Sequence, residues 1–186
     1  MPPKIILASA SPRRKELLKK IVKSFQVVTS GVDEGGLKIT SPLSFVRQAA
    51  IAKASAVARQ HQDAIVIGAD TIVLLGKKIL GKPKNKQAAI AMLKSLAGKT
   101  HKVVTAIAVI FPGQKVISAL DITRIKTKKI SEQDILAYVE SGRPLDKAGA
   151  YGIQEIEELF IEKIEGDYDN VVGLPVYKLK KILSSI

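Results

Sequence analysis

The sequence predicts an α/β protein with a mixed central sheet and flanking helices. Two continuous apolar runs, Ile5-Ile6-Leu7-Ala8 and Ala64-Ile65-Val66-Ile67-Gly68-Ala69, lack the alternation of a half-solvated strand and read as strands covered on both faces. Between them lie stretches with apolar residues at helical spacing. Two further strand-like stretches joined by Pro112-Gly113 read as an antiparallel hairpin, so the sheet is mixed rather than purely parallel. Apolar residues make up 46% of the chain and Trp is absent, so the core is built mostly from Ile, Leu, Val and Ala.

In chain order, the first strand runs into Ser9-Ala10-Ser11-Pro12. A helix over Arg13 to Lys20 follows, with Leu17, Leu18 and Ile21 on one face and Pro12 in its first turn. Phe25 to Val28 is a weaker second strand, and Gly31-Val32-Asp33-Glu34-Gly35-Gly36 is an acidic loop. Ser41-Pro42 opens a helix from Leu43 to about Gln60 that carries Val46, Ala49, Ala50, Ala54 and Val57, with Lys53 at its middle. The run from Ala64 ends at Asp70-Thr71 before the chain continues apolar through Leu75, which puts Asp70 at the carboxyl end of a strand. After a turn at Gly76-Lys77-Lys78 come Ile79 to Pro83 and a helix from about Lys86 to Leu96. The hairpin strands span about Lys102 to Phe111 and Lys115 to Lys128. Ser131 caps a helix to about Glu140, with Asp134 in the capping-box position. A glycine-punctuated stretch, Asp146 to Gln154, precedes a strand at Leu159 to Ile164, and Gly173-Leu174-Pro175 opens a closing helix to about Leu183. A length of 186 residues suits one domain, 1–186, or one domain with two lobes.

There is no cysteine, which removes disulfides, thiolate metal sites and a cysteine nucleophile. No run approaches a membrane span and the first residues lack a signal-peptide core, so the expectation is a soluble, cytoplasmic protein without a membrane partner. The net charge of +13 raises nucleic acid as a partner. The lysines are scattered, however, and no aromatic residues interleave with them, which favours a basic surface that attracts small anions over a stable nucleic-acid partner.

Ser9, Ser11, Arg13 and Arg14 sit at a strand-to-helix turn. Free backbone N–H groups, the helix dipole and an arginine fork there suit phosphate oxygens. Serines that only cap the helix, with solvated arginines, explain the same residues. A carboxylate at Asp70, after an apolar run, calls for a metal or the role of a base, or else caps a turn. Lys82 is framed by Gly81 and Pro83, which narrows the aim of its ammonium toward a phosphate or toward nothing but solvent. Glu34 and Lys53 are weaker signals. Together, carboxylates and cations form the set that a Mg²⁺-dependent phosphate reaction needs. No Walker loop, dinucleotide fingerprint, zinc pattern or Ser–His arrangement is present. His61 and His101 read as surface residues.

Six stretches then combine: Ser9-Ala10-Ser11-Pro12-Arg13-Arg14, Gly68-Ala69-Asp70-Thr71-Ile72-Val73, Leu80-Gly81-Lys82-Pro83, His101-Lys102-Val103-Val104-Thr105, Asp146 to Gln154, and Asn170-Val171-Val172-Gly173-Leu174-Pro175. In this order the chain resembles the Maf family of nucleotide pyrophosphatases, whose fold is similar to that of the inosine triphosphate pyrophosphatases, with two lobes around a cleft. The resemblance implies cleavage of a nucleoside triphosphate between its α and β phosphorus atoms with a divalent cation, Mg²⁺, Mn²⁺ or Co²⁺. It implies Asp70 as general base, Glu34 and Asp70 at the metal, and Arg13, Lys53 and Lys82 on the triphosphate, with Ser9 and Arg14 also at the substrate. It also implies a homodimer. The branch acting on dTTP and UTP carries glutamine where Gln154 stands, and the branch acting on 7-methylguanosine triphosphate carries glutamate. An amide can donate to and accept from a pyrimidine imide edge, so Arg13, Thr71 and Gln154 are the candidates for base choice. Modified pyrimidine triphosphates remain as substrates, and so does a role as a nucleotide-binding regulator of division and septum formation. The family often follows this glutamine with glycines; here the chain reads Glu155-Ile156-Glu157-Glu158.

Overall fold

The sheet runs in the order β2-β1-β3-β5-β6-β7, with β4 paired to β3, among the residues that the computed structural model describes, 3–33, 36 and 40–185. β1 (Ile5–Leu7) is parallel to both β2 (Gln26–Val27) and β3 (Ile65–Leu75), while β4 (Lys78–Leu80) is antiparallel to β3. β5 (Thr100–Ile110) and β6 (Val116–Thr127) are the hairpin strands, and β7 (Ile161–Glu165) runs antiparallel to β6. The mixed sheet with flanking helices that the sequence predicts is the one observed.

The helices form where caps and periodicity place them. Ser11 caps α1 (Pro12–Lys19) by accepting from Arg14 N, Ser41 caps α2 (Pro42–Ala58), and Asn85 caps α3 (Lys86–Leu96). Ser131 caps α4 (Glu132–Glu140), accepting from Asp134 N at 3.1 Å. Then the sequence reading and the structure part. Ile153–Phe160 is a helix, α5, so the strand expected from Leu159 begins only at Ile161. Buried Ile153, Ile156 and Phe160 explain it: their spacing lays one apolar stripe along a helix. α6 (Tyr168–Val172) and α7 (Val176–Leu183) complete the chain.

The chain divides into two compact units: the first holds the chain up to Asp70, Thr105–Asp121 and the chain from Gly173, and the second Thr71–Val104 and Ile122–Val172. In the first, α2 turns Val46, Ala49, Ala50 and Ala54 inward, all fully buried. That row of small side chains meets β3 at Gly68, where an added Cβ would fall 2.8 Å from Ala54 N and 2.9 Å from its Cβ. Glycine is required there because backbone stands in the way, and the close approach sets the distance between α2 and β3.

In the second unit α3 packs on α4, laced by exposed ion pairs Lys86–Glu140 and Lys94–Glu132 that contribute little on their own. The fully buried Asn170 donates to Val103 O at 3.2 Å and to Thr123 Oγ1 at 2.9 Å. His101 corrects an expectation. It is buried rather than superficial, with Nε2 2.6 Å from the Tyr151 hydroxyl and the rings edge to face. Burial drives its pKa from 6.5 down to about 4. The unfolded chain therefore binds the extra proton between those values, so stability is complete above pH 6.5 and falls as pH drops toward 4. The expected loss at pH 5 is about 2 kcal/mol. Denaturant midpoints measured from pH 7 to pH 4.5 should carry this slope, and His101→Gln should flatten it.

Candidate active site

In the first unit, the turn after β1 is held by its own hydroxyls and by one guanidinium. Ser9 is buried, and its Oγ accepts from Ser11 N at 3.3 Å and from Arg14 Nη1 at 3.3 Å. Arg14 Nε donates to Gly173 O at 2.9 Å. Arg14 thus spends two donors on bracing the turn against the Gly173-Leu174-Pro175 stretch, while Arg13, next to it in the first turn of α1, is half-buried.

Asp70 does not end a strand. It sits at the middle of β3, which continues without a break to Leu75. The β-branched Thr71, Ile72 and Val73 extend the strand, and the carboxylate needs no break in the sheet because it finds its partner sideways. Lys53 Nζ reaches from α2 to Asp70 Oδ1 at 2.6 Å, with side-chain exposures of 14% and 9% respectively. A carboxylate this far out of water is tolerable only with such a partner. The pair exists because Gly68, two residues before Asp70, lets α2 lie close on β3.

In the second unit, Lys82 is exposed and its strap is tied down, since Gly81 O accepts from Gly149 N at 3.0 Å and Pro83 is buried. Gly149 adopts φ +70°, and an added Cβ would stand 2.9 Å from Val73 Cγ2. Gln154 lies exposed in the first turn of α5, beside a groove of about 570 Å³ lined by Gln154, Glu155, Ile156, Glu157, Glu158 and Leu159. Thr71, half-buried, directly follows Asp70 on β3. Glu34 lies outside the described residues. The structure therefore joins Lys53 to Asp70 and Ser9 to Arg14, and it brings the Gly81-Lys82-Pro83 strap onto the Gly149 turn. The sequence reading missed the supports around Gln154. Ile153, Ile156 and Phe160 carried the signal for the helix; nothing local pointed to the Tyr138 hydroxyl and the Lys147 ammonium that meet Glu155.

A family model described as Maf-like protein matches residues 4–186. The chain is 44% identical over 183 residues to a protein of Aquifex aeolicus (strain VF5) described as dTTP/UTP pyrophosphatase, covering 98% of this chain and 95% of that one. A Bacillus anthracis protein of the same description is 48% identical over 180 residues, covering 97% and 94%. One from Clostridium novyi (strain NT) is 46% identical over 186 residues, covering 98% and 97%. Among solved structures, the Staphylococcus aureus Ham1 protein superposes with a TM-score of 0.57 at 15% identity, covering 98% of each chain. A HAM1 protein from Coxiella burnetii gives 0.53 at 13% identity, covering 99% of this chain and 100% of that one. Those two likenesses are of fold alone. With the family model spanning nearly every residue and relatives matched end to end, the chain belongs to the Maf-like protein family.

Proposed function

We propose that the protein is a nucleoside triphosphate pyrophosphatase that hydrolyses dTTP and UTP to the monophosphate and pyrophosphate. The observation that carries this reading is the Asp70 carboxylate held 2.6 Å from Lys53 Nζ, in a chain whose relatives bear that description over nearly their whole length. Asp70 takes the proton of the attacking water as its oxygen bonds to the α-phosphorus, and the α–β bridging oxygen leaves with pyrophosphate. Lys53 orients the carboxylate and adds fixed positive charge where negative charge accumulates. Arg13 and Lys82 bind the triphosphate, Ser9 and Arg14 hold the turn that receives it, and Thr71, Gln154 and Arg13 choose the base.

The donor chemistry fits a divalent cation. Mg²⁺ is held in phosphate enzymes by one or two carboxylates together with substrate oxygens and water. Asp70 would supply one carboxylate, held in place by Lys53, and Glu34, which lies outside the described residues, is proposed as the second. When bound, the cation draws negative charge from the phosphate oxygens and eases departure of pyrophosphate. The reading also includes a homodimer and a cytoplasmic location.

The test is pyrophosphate release from a panel of dTTP, UTP, dCTP, dGTP, 7-methylguanosine triphosphate and methylated pyrimidine triphosphates, with Mg²⁺, Mn²⁺ and Co²⁺ in turn. Turnover of dTTP and UTP above the others is expected. Orthophosphate as product contradicts the proposal, and nucleotide binding without turnover contradicts it and favours a regulator.

A further inference from the structure

α5 begins without a side-chain cap of its own, because Gly152 occupies the N-cap position. Its first turn is held from outside instead. Tyr138, on α4, accepts from Gly152 N at 3.2 Å and donates its hydroxyl to Glu155 Oε2 at 2.8 Å. The other oxygen of Glu155 lies 3.2 Å from Lys147 Nζ. That ammonium, on a buried residue, also donates to Arg143 O at 2.5 Å and to Asp146 Oδ1 at 2.7 Å. The Lys147 stem passes over Gly152 so closely that an added Cβ would stand 2.7 Å from Lys147 Cε. Burial lifts the Tyr138 phenol above the usual tyrosine range, so it keeps the proton it donates, and its ring packs edge-on against Phe160 at 5.7 Å. Gly152 and Glu155, which bracket the Ile153-Gln154 pair, are both tied to the same tyrosine.

We propose that Tyr138, Glu155 and Lys147 form a clamp that fixes the first turn of α5 and so aims the Gln154 amide, which makes all three positioning residues for base selection. The proposal rests on the reading of Gln154 as the group that meets the base. Glu155 is the joint of the clamp, since one of its oxygens meets Tyr138 and the other Lys147. A helix-dipole role would need only the negative charge of Glu155. The clamp needs two acceptor oxygens at residue 155, one for Tyr138 and one for Lys147, of which a neutral amide keeps only one.

The test compares kcat/KM for dTTP and dCTP in the full-length protein and in Gln154→Ala, Tyr138→Phe, Glu155→Ala and Glu155→Gln. Tyr138→Phe and Glu155→Ala should lower the dTTP-to-dCTP ratio by about tenfold, the scale of one misdirected hydrogen bond. The change should come through KM for dTTP, in the direction taken by Gln154→Ala, while Glu155→Gln, which keeps one of the two acceptors, lowers the ratio less than Glu155→Ala does; a purely charge-based role would make those two variants equal. If Gln154→Ala lowers the ratio and Tyr138→Phe changes both nucleotides equally or neither, the clamp is overturned and the base reading stands. If Gln154→Ala itself leaves the ratio unchanged, the base reading fails and the clamp falls with it.

Discussion

Asp70→Asn lowers dTTP turnover by about 10²–10⁴-fold, the range for loss of a positioned general base. The two groups have the same shape, and the amide oxygen can still accept from Lys53, so β3 keeps its neighbour and the protein keeps its fold. What is lost is the capacity to take a proton from water and the negative charge that attracts a cation. The effect should therefore appear in kcat, with KM for dTTP altered far less. Steady-state kinetics beside a thermal melt checks both halves. Wild-type turnover in this variant would remove Asp70 from the chemistry, and a collapsed melt would make it a structural partner of Lys53 instead.

Gly68→Ala produces the second large effect, through packing. Its Cβ would stand 2.8 Å from Ala54 N and 2.9 Å from Ala54 Cβ, closer than real methyl contacts allow. Backbone cannot rotate aside as a long side chain can, so α2 must shift off β3. Overpacking of this kind costs about 1–3 kcal/mol, and more where backbone must move. The shift also carries Lys53 away from Asp70, so activity falls along with stability. Urea midpoints and dTTP turnover measured together give the check. Gly81→Ala is the control for stability: nothing lies within 4 Å of its added Cβ, and its effect on the midpoint should be small. Equal midpoints for the two variants would refute the role of Gly68 as the close-approach point between α2 and β3.

Where local chemistry decides structure, the sequence was readable. Ser11-Pro12 and Ser41-Pro42 supply a cap and a preset first turn, so α1 and α2 begin where the caps stand. Continuous apolar runs located β1 and the first half of β3. Two of the failures share one cause, which is a partner distant in sequence. Asp70 punctuates an apolar run and looks like the end of a strand until Lys53, on another element, supplies the charge that lets the strand continue. His101 is polar and flanked by Thr100 and Lys102, and only Tyr151 explains how it is buried. The acidic residues 155, 157 and 158 disguised α5, and its last two residues, Leu159 and Phe160, read as the start of the strand that is β7.

The candidate residues divide in the same way. Lys53 and Asp70 stood out separately, as a lysine within an alanine-rich helix and an acid within an apolar run. Their pairing follows from the packing of Ala50 and Ala54 against Gly68, which no local pattern encodes. Arg14 looked like one half of a phosphate-binding pair. The carbonyl of Gly173 that engages its Nε lies far along the chain, beyond the reach of any motif.

We propose that Asp70, held by Lys53, directs a water at the α-phosphorus. Hydrolysis of dTTP in H₂¹⁸O tests it most directly. Attack at the α-phosphorus places the label in dTMP and leaves the pyrophosphate unlabelled. Label in the pyrophosphate would mean attack at the β-phosphorus and would contradict the account.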